Sequence, residues 1–88
     1  MPDAYRCTLI TPEQEVFTKQ VTYVDLPAHD GQMGFQVRRA PALVKLGKGL
    51  LTVTETGGAK TAMQISGGFA QMKGDDLSIL TDEAKDPS

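Results

Sequence analysis

Among the 88 residues, side chains able to make or break bonds are few and scattered. His29 is the only histidine and Cys7 the only cysteine. Neither has neighbours at the spacing of a nucleophilic triad or a metal site, so both read as structural residues. Paired acids occur as Asp75-Asp76 and Asp82-Glu83, which in principle supply two carboxylates. Both pairs sit beside turn signals, where solvated charge is the ordinary role. Gly31-Gln32-Met33-Gly34 and Gly67-Gly68 are glycine loops, yet neither opens onto a helical pattern as a phosphate cradle does. What remains is Arg38-Arg39, a local basic corner equally compatible with solvated charge and with a docking contact. The residue types therefore point to a contact surface rather than a catalytic centre.

The stretch from His29 to Leu43 is where such a surface is expected. Gly31 and Gly34 suit a tight turn or bulge with positive φ, a short strand follows over Phe35–Val37, and Pro41 turns the chain after the two arginines. The rest of the chain sets bounds. Eighty-eight residues make one small domain, with a total stability of roughly 4–13 kcal/mol. A formal net charge of −2 gives no global attraction to nucleic acid or anionic lipid. A single cysteine excludes an intramolecular disulfide and fits a reducing compartment. No apolar run approaches the ~20 residues that cross a bilayer, and Met-Pro-Asp-Ala is not the start of a secretory signal.

The elements that must position the surface are strands. Tyr5, Cys7 and Leu9 alternate with Arg6, Thr8 and Ile10, as a pleated strand with one buried face requires. Thr11-Pro12-Glu13 ends it in a turn. A short return strand over Glu15–Thr18 is followed by a β-branched strand, Val21–Leu26, whose apolar residues on both faces suit a central strand covered on two sides, closed by Pro27. Ala42–Leu46 has proline ahead of it like a helix start, but Gly47 and Gly49 stop it too soon, so it reads as a strand. Leu50–Glu55 and Lys60–Ile65 form a hairpin about Thr56-Gly57-Gly58-Ala59, and Phe69–Lys73 and Leu77–Leu80 form another. Short strands with regular turn signals predict an all-β sandwich. The polar run after Leu80 is expected to fray.

Two resemblances follow. Met72-Lys73 beside Gly74 resembles the hairpin tip of biotinyl and lipoyl carrier domains, in which a lysine takes the cofactor covalently. Biotinyl domains follow that lysine with methionine and lipoyl domains precede it with aspartate, whereas here Gly74 follows and Met72 precedes. Lys73 thus stands as an alternative modification site beside its plain reading as a turn lysine.

The second resemblance covers nearly the whole chain. The strand from Tyr5, the Thr11-Pro12-Glu13 turn, Asp30-Gly31-Gln32-Met33-Gly34-Phe35 leading to Ala40-Pro41-Ala42-Leu43, then Gly49, Ile65-Ser66-Gly67-Gly68-Phe69 and Leu77-Ser78-Ile79-Leu80-Thr81-Asp82-Glu83-Ala84 resemble the amino-terminal domain of the epsilon subunit of rotary F-type ATP synthases. Gln32 stands where the family commonly has an acid, and Arg38-Arg39 where glycine and histidine are common. The resemblance implies a flattened β-sandwich of about ten short strands over residues 1–81, a polar tail over 82–88 and no C-terminal helical domain. It implies a non-catalytic central-stalk subunit of a proton- or sodium-translocating synthase, peripheral on the cytoplasmic face of a bacterial inner membrane. Such a subunit couples the gamma subunit to the membrane c ring among the other F1 subunits, without cofactor, metal, nucleic acid or direct membrane insertion. Asp30, Gly31, Gln32, Met33 and Arg38 would face the c ring; Thr11, Arg39, Ala40 and Val44 would face gamma. Inhibition and ATP sensing, which the family assigns to a helical hairpin, are not expected of these residues.

Overall fold

Alternation of apolar and polar side chains decides the architecture, because each strand has one face that must leave water. The computed structural model describes residues 4–35 and 41–87. The described residues form nine strands, against about ten expected: β1 (Tyr5–Ile10), β2 (Glu15–Ala28), β3 (Gly31–Phe35), β4 (Ala42–Lys45), β5 (Lys48–Glu55), β6 (Lys60–Ser66), β7 (Phe69–Lys73), β8 (Asp76–Leu80) and β9 (Glu83–Lys85). They join in the order β4-β7-β8-β1-β2-β5-β6-β9, with β3 also paired to β2.

The sandwich arises because β2 belongs to two layers. From Glu15 to Val21 it pairs with β1; from Val21 to Ala28 it pairs with β3 and β5. The first layer is therefore β4-β7-β8-β1 with the first half of β2, and the second is β3, the second half of β2, β5, β6 and β9. Tyr5, Cys7, Leu9, Met72, Leu77 and Ile79 from the first layer join Leu26, Leu51, Val53 and Ile65 from the second in one buried cluster. The β1–β8 ladder is parallel and brings Arg6 beside Asp76, so the first layer closes only when the two ends of the chain meet.

Several expectations are corrected. The strands read separately over Glu15–Thr18 and Val21–Leu26 are one strand, and Pro27 does not end it. The ladder to β5 stops at Asp25, so that side no longer asks for a donor at Pro27. Val21–Leu26 is not covered on both faces. A register shift between Val21 and Tyr23 puts Val21 and Val24, three residues apart, into the same core and leaves Tyr23 exposed. Gly31-Gln32-Met33-Gly34 is strand rather than loop, with the turn displaced to His29-Asp30. Of its two glycines only Gly31 has positive φ, at 139°. The polar residues after Leu80 do not fray: Glu83–Lys85 pair with Gln64–Ser66 as β9.

Candidate docking face

The sequence-level candidates for chemistry separate widely. Burial pushes the Cys7 thiol up to about 12, so at neutral pH it is protonated and out of reach of reagents. His29 lies exposed in the β2–β3 turn. Asp76 bonds the Arg6 Nε at 2.6 Å, and this hydrogen bond, with the charge behind it, raises the guanidinium above its ordinary value. Lys73 is exposed at the end of β7, beside Gly74 and across from Asp76. Among the described residues no group of three or more His, Cys, Asp or Glu side chains could hold a metal ion, and no helix is long and apolar enough to cross a membrane.

The outer face of the first layer has a different character. Directly opposed residues in a sheet share a face, so the register can be followed strand by strand. Lys45 on β4 opposes Phe69 on β7, Phe69 opposes Leu80 on β8, Leu80 neighbours Ile10 on β1, and Ile10 neighbours Glu15 on β2. These five form one row across the layer, apolar in the middle and charged at each end. Phe69 is 51% and Leu80 50% exposed, and Leu43, one diagonal step away on β4, is 69% exposed. Behind this row lies Gln71, Ser78, Thr8 and Thr18, and behind that Lys73, Asp76, Arg6 and Gln20. The face thus grades from apolar through hydroxyl and amide groups to charge.

A buried corner fixes the apolar row. Gly68 sits at φ +104°, and a Cβ there would overlap the Leu80 carbonyl oxygen, so only glycine allows β7 to start against β8. Thr81, itself buried, places its Oγ1 2.8 Å from the Gly67 carbonyl and accepts the Ser66 N–H at 3.3 Å. Its own N–H donates to the Ile10 carbonyl at 2.9 Å. The corners before Phe69 and after Leu80 are therefore bonded to each other and to β1. In the sequence Gly67-Gly68 reads as turn chemistry alone, and no motif singles out Phe69, Leu80 or Leu43. The alternation of Phe69-Ala70-Gln71-Met72 was the available signal, since Ala70 and Met72 take the buried face and leave Phe69 outside.

The predicted tip lies at the same end of the sandwich. Asp30, Gly31, Gln32 and Met33 are exposed together. The His29 N–H donates to the Lys45 carbonyl at 2.7 Å, and Gly47 N–H donates to the Pro27 carbonyl at 2.8 Å, so the tip is tied to the end of β4. Gln32 Nε2 donates to Asp25 Oδ1 at 3.1 Å, which holds that side chain along the sheet. Of the other expected contact residues, Thr11 is buried and bonds Gln14, while Val44 turns inward and packs on the core. The side chain that β4 presents outward is Leu43. Arg38, Arg39 and Ala40 lie outside the described residues.

Comparison with known proteins agrees with the all-β fold. Residues 4–87 match the family described as the ATP synthase delta/epsilon chain, beta-sandwich domain. The chain is 40% identical over 85 residues to ATP synthase subunit delta, mitochondrial, of Pichia angusta, covering 94% of this chain and 53% of that protein. It is 37% identical over 79 residues to the ATP synthase epsilon chain of Rhodopirellula baltica, covering 90% of this chain and 61% of that protein. It thus spans between about half and two thirds of the length of these relatives. Among solved structures, a chain of the Euglena gracilis mitochondrial ATP synthase, in a structure that includes the c-ring, superposes with a TM-score of 0.86 at 28% identity, over 96% of this chain and 54% of that one. A chain of the Tetrahymena thermophila mitochondrial ATP synthase central stalk and c-ring shares the fold, with a TM-score of 0.75 at 17% identity, over 92% of this chain and 65% of that one. An all-strand domain whose two layers share one long strand, matched along almost its whole length, belongs to the ATP synthase delta/epsilon β-sandwich family.

Proposed function

We propose that this chain is a non-catalytic rotor subunit of an F-type ATP synthase, gripping the gamma subunit with the outer face of its first layer and the c ring with its tip. The observation that carries the reading is the apolar row of exposed Leu80 and Phe69 with the adjacent Leu43, continued by half-buried Ile10, on one face beside a separate polar tip. A soluble domain rarely leaves such side chains together unless a partner covers them. Family membership and the likeness to a chain from a synthase structure that contains a c-ring support a partner of that kind.

Torque passes through a body only if it does not shear. β2 runs through both layers, so a load applied on the face reaches the tip along one hydrogen-bonded strand. Asp30, Gly31, Gln32 and Met33 offer the tip's contacts, and Arg38, Arg39 and Ala40 complete the surface in this reading. No catalysis, cofactor or metal is assigned, and the coupling ion is proton or sodium. Peripheral placement on the cytoplasmic face of a bacterial inner membrane goes with the reading for a bacterial source.

The test is pull-down of the tagged chain from membranes of its source. Recovery of gamma and c subunits is expected. A synthase that assembles and couples fully without this chain would overturn the proposal. Intact mass of the chain expressed with biotinyl or lipoyl ligases tests the carrier alternative, which requires an added cofactor mass on Lys73.

A further inference from the structure

The row that carries the apolar contact is not symmetric. It starts at Lys45 on β4 and finishes at Glu15 on β2, four strand spacings or about 19 Å apart. The ion pairs found among the described residues are Arg6–Asp76 and Lys19–Glu55, so neither Lys45 nor Glu15 takes part in one of these. Both are exposed. Glu15 is also held in place, since the Thr18 hydroxyl donates to its Oε2 at 2.9 Å. An exposed acid and an exposed base thus bracket a strip of apolar side chains.

We infer that this row is a polarised docking strip: the gamma surface that covers Phe69, Leu80 and Ile10 presents a carboxylate to Lys45 and a basic side chain to Glu15. This rests on the reading of the face as the gamma contact and adds what it lacks, a direction. Apolar contact alone is non-directional, so a flat strip can be approached either way round. Opposite charges at its two ends make one orientation attractive and the reverse repulsive, which steers the encounter and fixes the register. Lys45 has a second consequence, because its carbonyl holds the His29 N–H. The residue that orients the face is tied directly to the tip, so setting one sets the other.

The experiment measures association of the full chain with the parent synthase's gamma–c-ring complex, at low and high salt. Rim charges act on the association rate, so K45E and E15K are each expected to slow it about three- to tenfold at low ionic strength, with the difference closing as salt rises. K60E, at the far hairpin, is expected to match the unaltered chain. Rates for K45E and E15K equal to that of K60E would overturn the inference. L80E and F69E separate the two levels of argument, since both side chains are half exposed and their replacement leaves the core intact. Unchanged binding by both would sink the reading of the face itself; lost binding by them with neutral charge variants would sink only the polarity. Sedimentation of the isolated chain supplies a third arm. A dimer broken by K45E and E15K would overturn the inference by matching the row to a second copy.

Discussion

The two outer faces of the sandwich are built from strands of similar length and treat their apolar side chains differently. On the first layer Leu43, Phe69 and Leu80 converge, and Ile10 extends the strip. On the second layer Tyr23 and Leu50 are 40% and 42% exposed, but Tyr23 opposes Thr54 and Leu50 opposes Gln64. The same kinds of residue thus form a patch on one face and isolated points on the other. Single exposed apolar groups need no explanation, whereas a registered row of them does. Each face also has a glycine whose Cβ would meet an obstacle, of a different kind on each. At Gly68 the obstacle is backbone, the Leu80 carbonyl; at Gly34 it is a side chain, the Tyr23 ring and hydroxyl lying where a Cβ would go.

The largest effect is expected from G68A. It combines a positive φ with an overlap that no rotamer change relieves, so a loss of more than about 3 kcal/mol is predicted in denaturant melts. Stability within about 1 kcal/mol of the parent would show that the corner yields. Next is the contrast between the faces: L80E should weaken association with the gamma–c-ring complex by at least about a hundredfold, against less than about threefold for L50E. Equal effects would erase the distinction between patch and points. Smaller again is G34A, predicted to cost about 1–3 kcal/mol. Because the clash is with a side chain, Y23A should recover much of the loss in the double variant, and strict additivity would refute that cause.

The effect smallest at each step, read one pH unit at a time, concerns the interior behind the docking face. Cys7 keeps its proton in the folded chain up to about pH 12, while the unfolded thiol loses it near 9.0. Above pH 9 the unfolded state therefore binds fewer protons, and stability falls as pH rises towards 12, by at most about 1.4 kcal/mol per pH unit. The slope should vanish in C7A after other titrations cancel between the two proteins. A C7A profile parallel to the parent's would show the thiol already ionised in the fold.

Burial in β1 was legible because its period of two is unbroken: Tyr5, Cys7 and Leu9 all face the core. β2 was not, because a register shift between Val21 and Tyr23 changes which face is inside, and a shift is set by the partner strand rather than by local composition. Thr81 carries no local signal for a similar reason. Its hydroxyl acts on Ser66 and Gly67, fifteen and fourteen residues earlier, which no local pattern encodes.

What the sequence determined by itself is the strand habit, the turn positions at Gly57-Gly58 and Gly74, and the poverty of reactive groups, since these follow from side-chain type and backbone freedom. Its motif order also carried the family. Only the tertiary structure decided that Phe69, Leu80 and Ile10 form one row with Lys45 and Glu15 at its ends. That row depends on a parallel ladder between β1 and β8, which joins residues some seventy positions apart, and long-range register is a property of the closed sandwich rather than of any segment in it.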